Sequence, residues 1–357
     1  MRITIVGGGN IGTQFAVHCA EKGNDVIVYT SCPELYDGHL IIKNDANEIT
    51  HEGVIKLATS DPEEAFGNTE MIIITMPATM MNMLADNKYT GDSTIIGVVP
   101  GNGGAECAFR KCIEKGNIFF GIERVPAIAR LIQKGKSVKS TGYRNELHVA
   151  SLPKNEAKKC SEIIEGIFNI KTTVIPNYLN LTMTPSNPIL HTVRLKTLFH
   201  DWCEGKTYER VPLFYEDWDD ASSELLIACD KEVQKICKAL PAFDLNYVKS
   251  LRVHYESYTT KAMTKKISSI PAFKGLIAPI EVTAEGLMPD LHSRYFTADF
   301  SYGLTVIKQI AVFAGVRTPN IDDLMAWYNS IAVEKSEFRF SDYGINSIEE
   351  FEKFYLQ

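Results

Sequence analysis

The chain has 357 residues, more than one ordinary hydrophobic core accommodates, so two domains are expected. Hydrophobic residues make up 45% and charged residues 23%, as in ordinary globular proteins. The net charge of -7 excludes a general nucleic-acid binder, which needs a basic face. No apolar run approaches the roughly 18 residues of a membrane span, and no secretory leader is recognised. We therefore expect a cytoplasmic protein with reduced cysteines and no metal site.

The first residues have the pattern of a dinucleotide-binding turn. A predicted strand, "RITIV", is followed by Gly7, Gly9 and Gly12 in the spacing GxGxxG, then by a helix and the strand "DVIVYT". In this context the first glycine permits a tight turn. The second lets the backbone approach a pyrophosphate, and the third allows close helix–strand packing. Free N–H groups at the helix start, at Asn10 and Ile11, would face the anion.

The segments that follow continue the pattern of alternating strands and short helices. Predicted strands lie in "GVIKLA", "EMIIITMPA", "STIIGVVPGNGG" and "NIFFGIE", with a helical turn at "DPEEAF". This order predicts a Rossmann-type, doubly wound parallel sheet, in which ligands bind beyond the carboxyl ends of the strands. The cofactor-contact candidates at those ends are Thr30, Ser31, Met76, Pro77, Pro100 and Asn102.

The end of the second strand bears on the choice between NAD and NADP. NAD-dependent enzymes usually place an acidic residue there, to bind the 2′-hydroxyl of the ribose. This strand instead ends at Thr30 and Ser31, and the nearest acid is Glu34. The missing carboxylate removes repulsion against a 2′-phosphate, and two hydroxyls could donate to it, although no arginine is adjacent. We therefore expect NADP(H) to be favoured over NAD(H).

The second half of the chain has the spacing of helices. Apolar residues recur at helical intervals in "SELLIACDKEVQKICKAL", "LTVIKQIAVFAG" and "IDDLMAWYNSI". The predicted architecture is an NAD(P)-binding Rossmann domain over residues 1–177, followed by an all-α substrate and catalytic domain over 178–357. The ligand site is expected in the cleft between the domains. An exposed apolar helix face would allow a homodimer.

The segment "TPSNPILHTVRL" predicts a helix start that carries a histidine. Asn187 is the expected cap and Pro188 suits the first turn. His191 would then be the fourth helical residue, with Arg194 on about the same face. The helix dipole favours the neutral imidazole and a nearby carboxylate favours the charged one, so His191 could titrate near neutral pH and transfer protons. A lone helical histidine is more often structural, and the other seven histidines are expected to be so.

Several segments resemble the opine dehydrogenases of the octopine and nopaline type. They are "SNPILH", "RYFTADFSYGLTVIKQIAVFAGVRTPNIDDLMAWY", "VPGNGGAECAF", "ERVPAIARL" and "FYEDWDDASSELLIACDKEVQKICKAL", in the family's order and over nearly the whole chain. The resemblance implies reductive condensation of an α-keto acid with an amino acid, followed by reduction of the imine by a nicotinamide hydride. It implies that His191 transfers protons, that Asp299 is its carboxylate partner and that Arg294 binds a carboxylate. The other substrate-binding candidates are Asn187, Arg194 and Tyr302.

Two other functions compete with this interpretation. One is a simple 2-keto or 3-hydroxy acid reductase of the 6-phosphogluconate-like or ketopantoate-reductase-like group. Such enzymes commonly use a lysine from the helical domain, and no lysine here is placed as convincingly as His191. The other is a dinucleotide-binding sensor without catalysis, which would keep the three glycines and lose the histidine or the aspartate. The expected partners are an amino acid and an α-keto acid, without nucleic acid or membrane.

Overall fold

The computed structural model describes residues 1–85, 91, 93–333 and 337–357. They form two compact units: the first comprises Met1–Leu181 with Lys353–Gln357, and the second comprises Thr182–Glu352. The first unit therefore extends past residue 177 and includes the C-terminal residues, so assigning the whole of 178–357 to one domain is wrong. The physical reason is burial, since the fully buried Tyr355 donates its hydroxyl to the buried carboxylate of Glu106.

The main sheet of the first unit is the predicted Rossmann-type sheet. Its strands, numbered along the chain, are β1 (Arg2–Val6), β2 (Asp25–Tyr29), β5 (Leu57–Thr59), β6 (Met71–Ile74), β7 (Ile95–Val98), β8 (Ile118–Ile122), β11 (Glu146–Leu152) and β12 (Lys171–Val174). Among the described residues their order is β12-β11-β8-β7-β6-β1-β2-β5. Neighbouring strands are parallel except β8 and β11. The central strands are buried on both faces, which explains their continuous aliphatic runs.

A second sheet in the first unit was not predicted. It consists of β3 (His39–Lys43), β4 (Ile49–Val54), β9 (Ile128–Gln133) and β10 (Ser137–Thr141), in the order β4-β3-β10-β9. The segment "GVIKLA", taken as one strand, is divided between the end of β4 and β5, which belong to different sheets. Strand β3 pairs with β10, which lies almost 100 residues later in the chain. A pattern of neighbouring residues cannot predict such a pairing.

The helices of the first unit follow the predicted alternation with strands. They are α1 (Asn10–Glu21), α2 (Pro62–Phe66), α3 (Met81–Leu84), α4 (Ala105–Ala108), α5 (Arg110–Glu114), α6 (Ala157–Phe168) and α7 (Leu179–Thr182), whose last residue belongs to the second unit. Helix α1 buries Phe15 and Cys19, and Gly23 follows its end with φ +75°, as predicted. Its burial against the two sheets fixes where the glycine turn lies.

The second unit is helical, as predicted. It contains α8 (Ser186–Phe199), α9 (Asp220–Lys238), α10 (Leu251–His254), α11 (Thr260–Ser268), α12 (Arg294–Thr297), a π-helical segment (Asp299–Leu304), α13 (Thr305–Phe313), α14 (Pro319–Ile331) and most of α15 (Ile348–Leu356). It also contains a short hairpin of β13 (Ile280–Thr283) and β14 (Gly286–Pro289), so "all-α" describes it incompletely. Within the described ranges no helix combines the length and apolar character that crossing a bilayer requires.

Candidate active site

The first feature of the site is helix α8, which carries His191. The helix begins at Ser186, one residue before the expected cap, because the Ile189 N–H already bonds to the Pro185 carbonyl at 3.0 Å. Asn187 therefore lies inside the first turn with its side chain exposed, and its predicted capping role is wrong. His191 is then the sixth helical residue rather than the fourth. The helix dipole acts mainly on the first turn, so it influences His191 less than expected.

The predicted carboxylate partner of His191 lies beside it. The His191 Nδ1 is 2.8 Å from Oδ2 of Asp299, and His191 is 6% exposed. Asp299 opens the π-helical segment, which packs against α8. A Cβ added at Gly303 would meet the Pro188 ring at 3.0 Å, so the missing side chain allows this close approach. Widened turns of this kind often occur at functional sites. In this protein the widened turn places the Asp299 carboxylate beside the His191 imidazole.

The other nitrogen of His191 has a partner that the sequence did not reveal. The hydroxyl of Tyr215 lies 2.9 Å from Nε2, and the Tyr215 ring stacks on Phe273 with centroids 4.0 Å apart. Burial raises the pKa of the Tyr215 hydroxyl well above its usual value, so the group stays neutral. Because the Asp299 carboxylate accepts a hydrogen bond, Nδ1 carries the proton, and in the neutral imidazole Nε2 then accepts from the tyrosine. The three groups form one hydrogen-bonded chain.

An arginine and a second tyrosine lie next to this chain of hydrogen bonds. The Tyr295 ring centroid is 4.8 Å from that of His191, and the guanidinium carbon of Arg294 is 5.7 Å from the same tyrosine ring. Arg294 is exposed, and Asp299 pairs with His191 rather than with this arginine. The guanidinium is therefore accessible to an anion. Tyr302, another predicted substrate contact, lies in the π-helical segment and is 9% exposed.

Arg194, by contrast, is a structural residue. It is 1% exposed, and its Nε donates to the Phe214 carbonyl at 2.8 Å. One terminal nitrogen donates to the Ser222 hydroxyl at 3.1 Å and the other to the Asp217 carbonyl at 2.6 Å. These bonds tie the segment before α9 and the first turn of α9 to α8. The structure does not support the predicted substrate-binding role, because the guanidinium is buried and each of its three nitrogens donates to an acceptor of the protein.

The glycine turn of the first unit has the shape of a phosphate cradle. Gly7 has φ +103°, a left-handed conformation, and a Cβ at Gly12 would lie 1.7 Å from the Gly7 carbonyl oxygen. A Cβ at Gly9 would meet no atom within 4 Å, so backbone is open to a ligand there. No described side chain caps the start of α1, which leaves its N–H groups for an anion. The turn therefore fits a dinucleotide pyrophosphate.

The other cofactor-contact candidates lie where the strands end. Strands β1, β2, β6 and β7 are mutually parallel, so their carboxyl ends share one edge of the sheet. An ideal Cβ on Gly7 would lie 3.2 Å from the Met76 side chain, and one on Gly8 would lie 3.2 Å from the Thr30 hydroxyl. Pro77, Pro100 and Asn102 follow β6 and β7 at the same edge and are at least partly exposed. Ile11 lies in the first turn of α1 and is half-buried. Asn10 has a structural bond, since its Oδ1 accepts from the Leu131 N–H at 2.7 Å.

A lysine from a distant part of the sequence, Lys134, lies beside the residues that follow β2. Thr30 is buried, whereas Ser31 is exposed. The ammonium of Lys134, from the turn between β9 and β10, lies 3.3 Å from the Cys32 thiol. Hydrogen bonds from Ser31 and Lys134 lower the pKa of that thiol. Gly135 in this turn packs directly on Leu35, because a Cβ added at Gly135 would lie 2.3 Å from the Leu35 carbonyl oxygen. This close packing holds the turn in place.

Comparison with known protein families finds matches both at the glycine turn and around His191. Residues 174–332 match the family model described as NAD/NADP octopine/nopaline dehydrogenase, alpha-helical domain. Residues 2–101 match the model described as NADP oxidoreductase, coenzyme F420-dependent. Two separate parts of the chain therefore each match a model of nicotinamide-dependent oxidoreductases.

Individual relatives extend the likeness to most of the chain. The octopine dehydrogenase of Pecten maximus is 27% identical over 311 residues, which cover 81% of this chain and 76% of that protein. The opine dehydrogenase of Haliotis discus hannai is 28% identical over 363 residues, covering 91% and 88%. A solved structure of octopine dehydrogenase with NADH and L-arginine has the same fold, with a TM-score of 0.84 at 22% identity over 98% of this chain and 97% of that one. The comparisons therefore support a place for this chain among the opine dehydrogenases, a family of nicotinamide-dependent oxidoreductases.

Proposed function

We propose that this protein is an opine dehydrogenase: it condenses an α-keto acid with an amino acid and reduces the resulting imine to a secondary-amine dicarboxylate. The observation that carries the proposal is the 2.8 Å contact between His191 Nδ1 and Asp299 Oδ2. Forming the imine requires a proton for the leaving water, and the reverse oxidation requires a base. An imidazole held by a carboxylate serves both purposes, because the carboxylate stabilises the imidazolium that forms.

The hydrogen bonds around His191 suggest how its reactive nitrogen is prepared. Asp299 holds the proton on Nδ1, so the lone pair of Nε2 points away from the carboxylate. Tyr215 donates to that lone pair at 2.9 Å. We assign Tyr215 a positioning role: its hydroxyl keeps the ring in this orientation until a substrate oxygen or nitrogen takes its place at Nε2.

Substrate recognition in this proposal rests on Arg294. A carboxylate and a guanidinium form two parallel hydrogen bonds, so an exposed arginine near the proton-transfer group suits the carboxylate of a keto acid. Arg294 meets this requirement because it is exposed and lies against Tyr295, whose ring contacts His191. Asn187, exposed on the first turn of α8, and Tyr302 are proposed as further polar contacts.

The nicotinamide nucleotide, when bound at the glycine turn, supplies the hydride. We propose that NADP(H) is preferred over NAD(H). Two observations support this preference: no acidic residue stands at Thr30–Ser31, and the Lys134 ammonium lies 3.3 Å from Cys32, the next residue along the chain. Together the Ser31 hydroxyl and the Lys134 ammonium offer a hydrogen-bond donor and a positive charge to a 2′-phosphate. Glu34, the nearest acidic residue along the chain, carries a negative charge that would oppose this effect.

The test is nucleotide oxidation with the two substrates supplied separately and together. An opine dehydrogenase consumes NADPH or NADH when a keto acid and an amino acid are both present, and mass spectrometry of the product shows the new secondary amine. A screen of keto acid and amino acid pairs identifies the substrates. Consumption at a comparable rate with the keto acid alone would identify a simple keto acid reductase instead.

We place the enzyme in the cytoplasm, in keeping with its eight free thiols.

A further inference from the structure

Two histidines and a glutamate lie close together in the first unit, at the opposite end of α1 from the glycine turn. This two-histidine cluster consists of His18 and Glu21, near the end of α1, and His51 in β4. The His51 Nδ1 is 2.9 Å from Glu21 Oε2, and the His18 Nδ1 is 3.8 Å from the same oxygen. One atom from each residue can be chosen so that all three lie within 4.8 Å of one another. Three potential ligand atoms from separate side chains therefore lie close together.

The spacing of these atoms suits a small divalent ion. Zinc binds imidazole nitrogen and carboxylate oxygen at about 2.0–2.2 Å in tetrahedral geometry, so adjacent ligand atoms lie about 3.3–3.5 Å apart. The two distances of 2.9 and 3.8 Å lie on either side of that value. Small rotations of the partly exposed Glu21 and His51 side chains would equalise them. The same exposure gives an ion access from solvent and leaves a fourth position for water.

His18 is prepared as a ligand by its surroundings. It is 2% exposed, so its ring is held within the protein interior. Its Nε2 lies 2.9 Å from the Tyr143 hydroxyl. If Nε2 donates to that hydroxyl, the Nδ1 lone pair is free to face Glu21. Metal-binding histidines are usually oriented by such a bond at the other ring nitrogen.

A simple surface ion pair does not explain the whole cluster. The Glu21–His51 pair resembles the pair between His39 and Glu52, whose closest atoms are 3.1 Å apart. An exposed pair of this kind contributes little to stability. Among the residues that the structure describes, the His39–Glu52 pair has no third donor beside it, whereas His18 adds one to the Glu21–His51 pair from the protein interior. A buried imidazole 3.8 Å from a carboxylate that already pairs with another histidine adds the third donor of a possible metal site.

We propose that the two-histidine cluster binds a divalent transition ion, for which Zn²⁺ best fits the donor set of two imidazoles and one carboxylate. The bound ion joins the end of α1 to β4 and stabilises the first unit. This site was not expected from the sequence, because His18 and His51 are 33 positions apart on different elements and form no motif. The proposal does not depend on the proposed catalytic function.

The test is titration of the full chain with Zn²⁺ by calorimetry, together with the shift in Tm. We expect one Zn²⁺ per chain and a Tm that rises with Zn²⁺. The affinity for Zn²⁺ should fall at least about 100-fold in His51→Ala and in Glu21→Gln, because each removes a ligand. It should fall about tenfold in Tyr143→Phe, which removes only the hydrogen-bond partner of the His18 ligand. His39→Ala is the matched control, since it removes a similar exposed histidine–glutamate pair and should keep full affinity.

Zn²⁺ could instead bind to cysteines, and the absorption spectrum of bound Co²⁺ distinguishes thiolate ligands from the nitrogen and oxygen ligands of the cluster. Co²⁺ bound at the cluster should show no thiolate charge-transfer band, because the donors are nitrogen and oxygen. Circular dichroism verifies that each variant folds. The partly exposed His51 and Glu21 are chosen for substitution because replacing the buried His18 could prevent folding. Unchanged Zn²⁺ affinity in His51→Ala, a thiolate band lost in Cys203→Ser, or no binding by the unmodified chain would each overturn the proposal.

Discussion

The glycine turn and the surroundings of His191 are built in opposite ways. The turn uses residues within one short stretch, Gly7 to Gly12, and its chemistry comes from backbone N–H groups. The His191 centre joins side chains 24 and 108 positions away along the chain. A site made of backbone is visible as a local pattern of small residues. A site made of side chains depends on how distant elements pack.

Replacing His191 by alanine breaks the side-chain site and leaves the backbone site intact. We expect turnover to fall at least about 100-fold, the usual scale of general acid–base assistance. Nucleotide affinity should not change. Steady-state kinetics and nucleotide titration measure the two effects separately. His200→Ala, at the exposed end of the same helix, is the control and should keep its turnover. Equal turnover in His191→Ala and the unmodified enzyme would remove the catalytic assignment.

Replacing Gly9 by alanine tests the backbone site in the same way. A Cβ at Gly9 meets no protein atom within 4 Å, so the variant should fold with an unchanged Tm. The added methyl group would occupy space where the backbone approaches a pyrophosphate, and nucleotide affinity should fall at least about tenfold. Gly166→Ala, in α6 and also without a neighbour within 4 Å, is the matched control. Normal nucleotide affinity in Gly9→Ala would show that the turn does not hold the cofactor.

Replacing Tyr215 by phenylalanine sharpens the description of the His191 centre. The substitution removes the hydroxyl beside Nε2 and keeps the ring that stacks on Phe273. We expect kcat to fall about tenfold, the upper end of what the loss of one neutral hydrogen bond costs, with KM changed little. Phe273→Leu, which leaves the hydroxyl in place, should cost less. A loss as large as that of His191→Ala would instead mean that the tyrosine itself transfers the proton.

Replacing Lys134 by alanine tests the smallest effect, the choice of nucleotide. The Kd for NADPH should rise about three- to tenfold, because one exposed charge-assisted contact to the 2′-phosphate is lost. The Kd for NADH should stay the same. Lys136→Ala is the matched control: this lysine lies two positions away in the same turn and pairs with Asp37 at 3.1 Å. Equal weakening of both nucleotides, or tighter binding of NADH by the unmodified enzyme, would contradict the proposed preference.

Several features could be predicted because they depend on neighbouring residues. The glycine spacing gave the dinucleotide turn, and hydrophobic periodicity gave the order of a Rossmann-type sheet followed by helices, which is confirmed. His191 and Asp299 were singled out by resemblance, and the structure places them 2.8 Å apart. The assignment of Arg194 failed because its position on the helix does not show which acceptors surround it.

The sequence by itself determined where the glycine turn lies, which segments form the central strands of the main sheet and several of the helices, and where backbone can approach a phosphate. These properties follow from backbone conformation and the spacing of apolar residues, which are local. Only the tertiary structure decided that Tyr215 meets His191, that Lys134 lies at the end of β2, and that His18 and His51 converge on Glu21. Such contacts depend on the packing of elements far apart in the chain, and no local pattern encodes that packing.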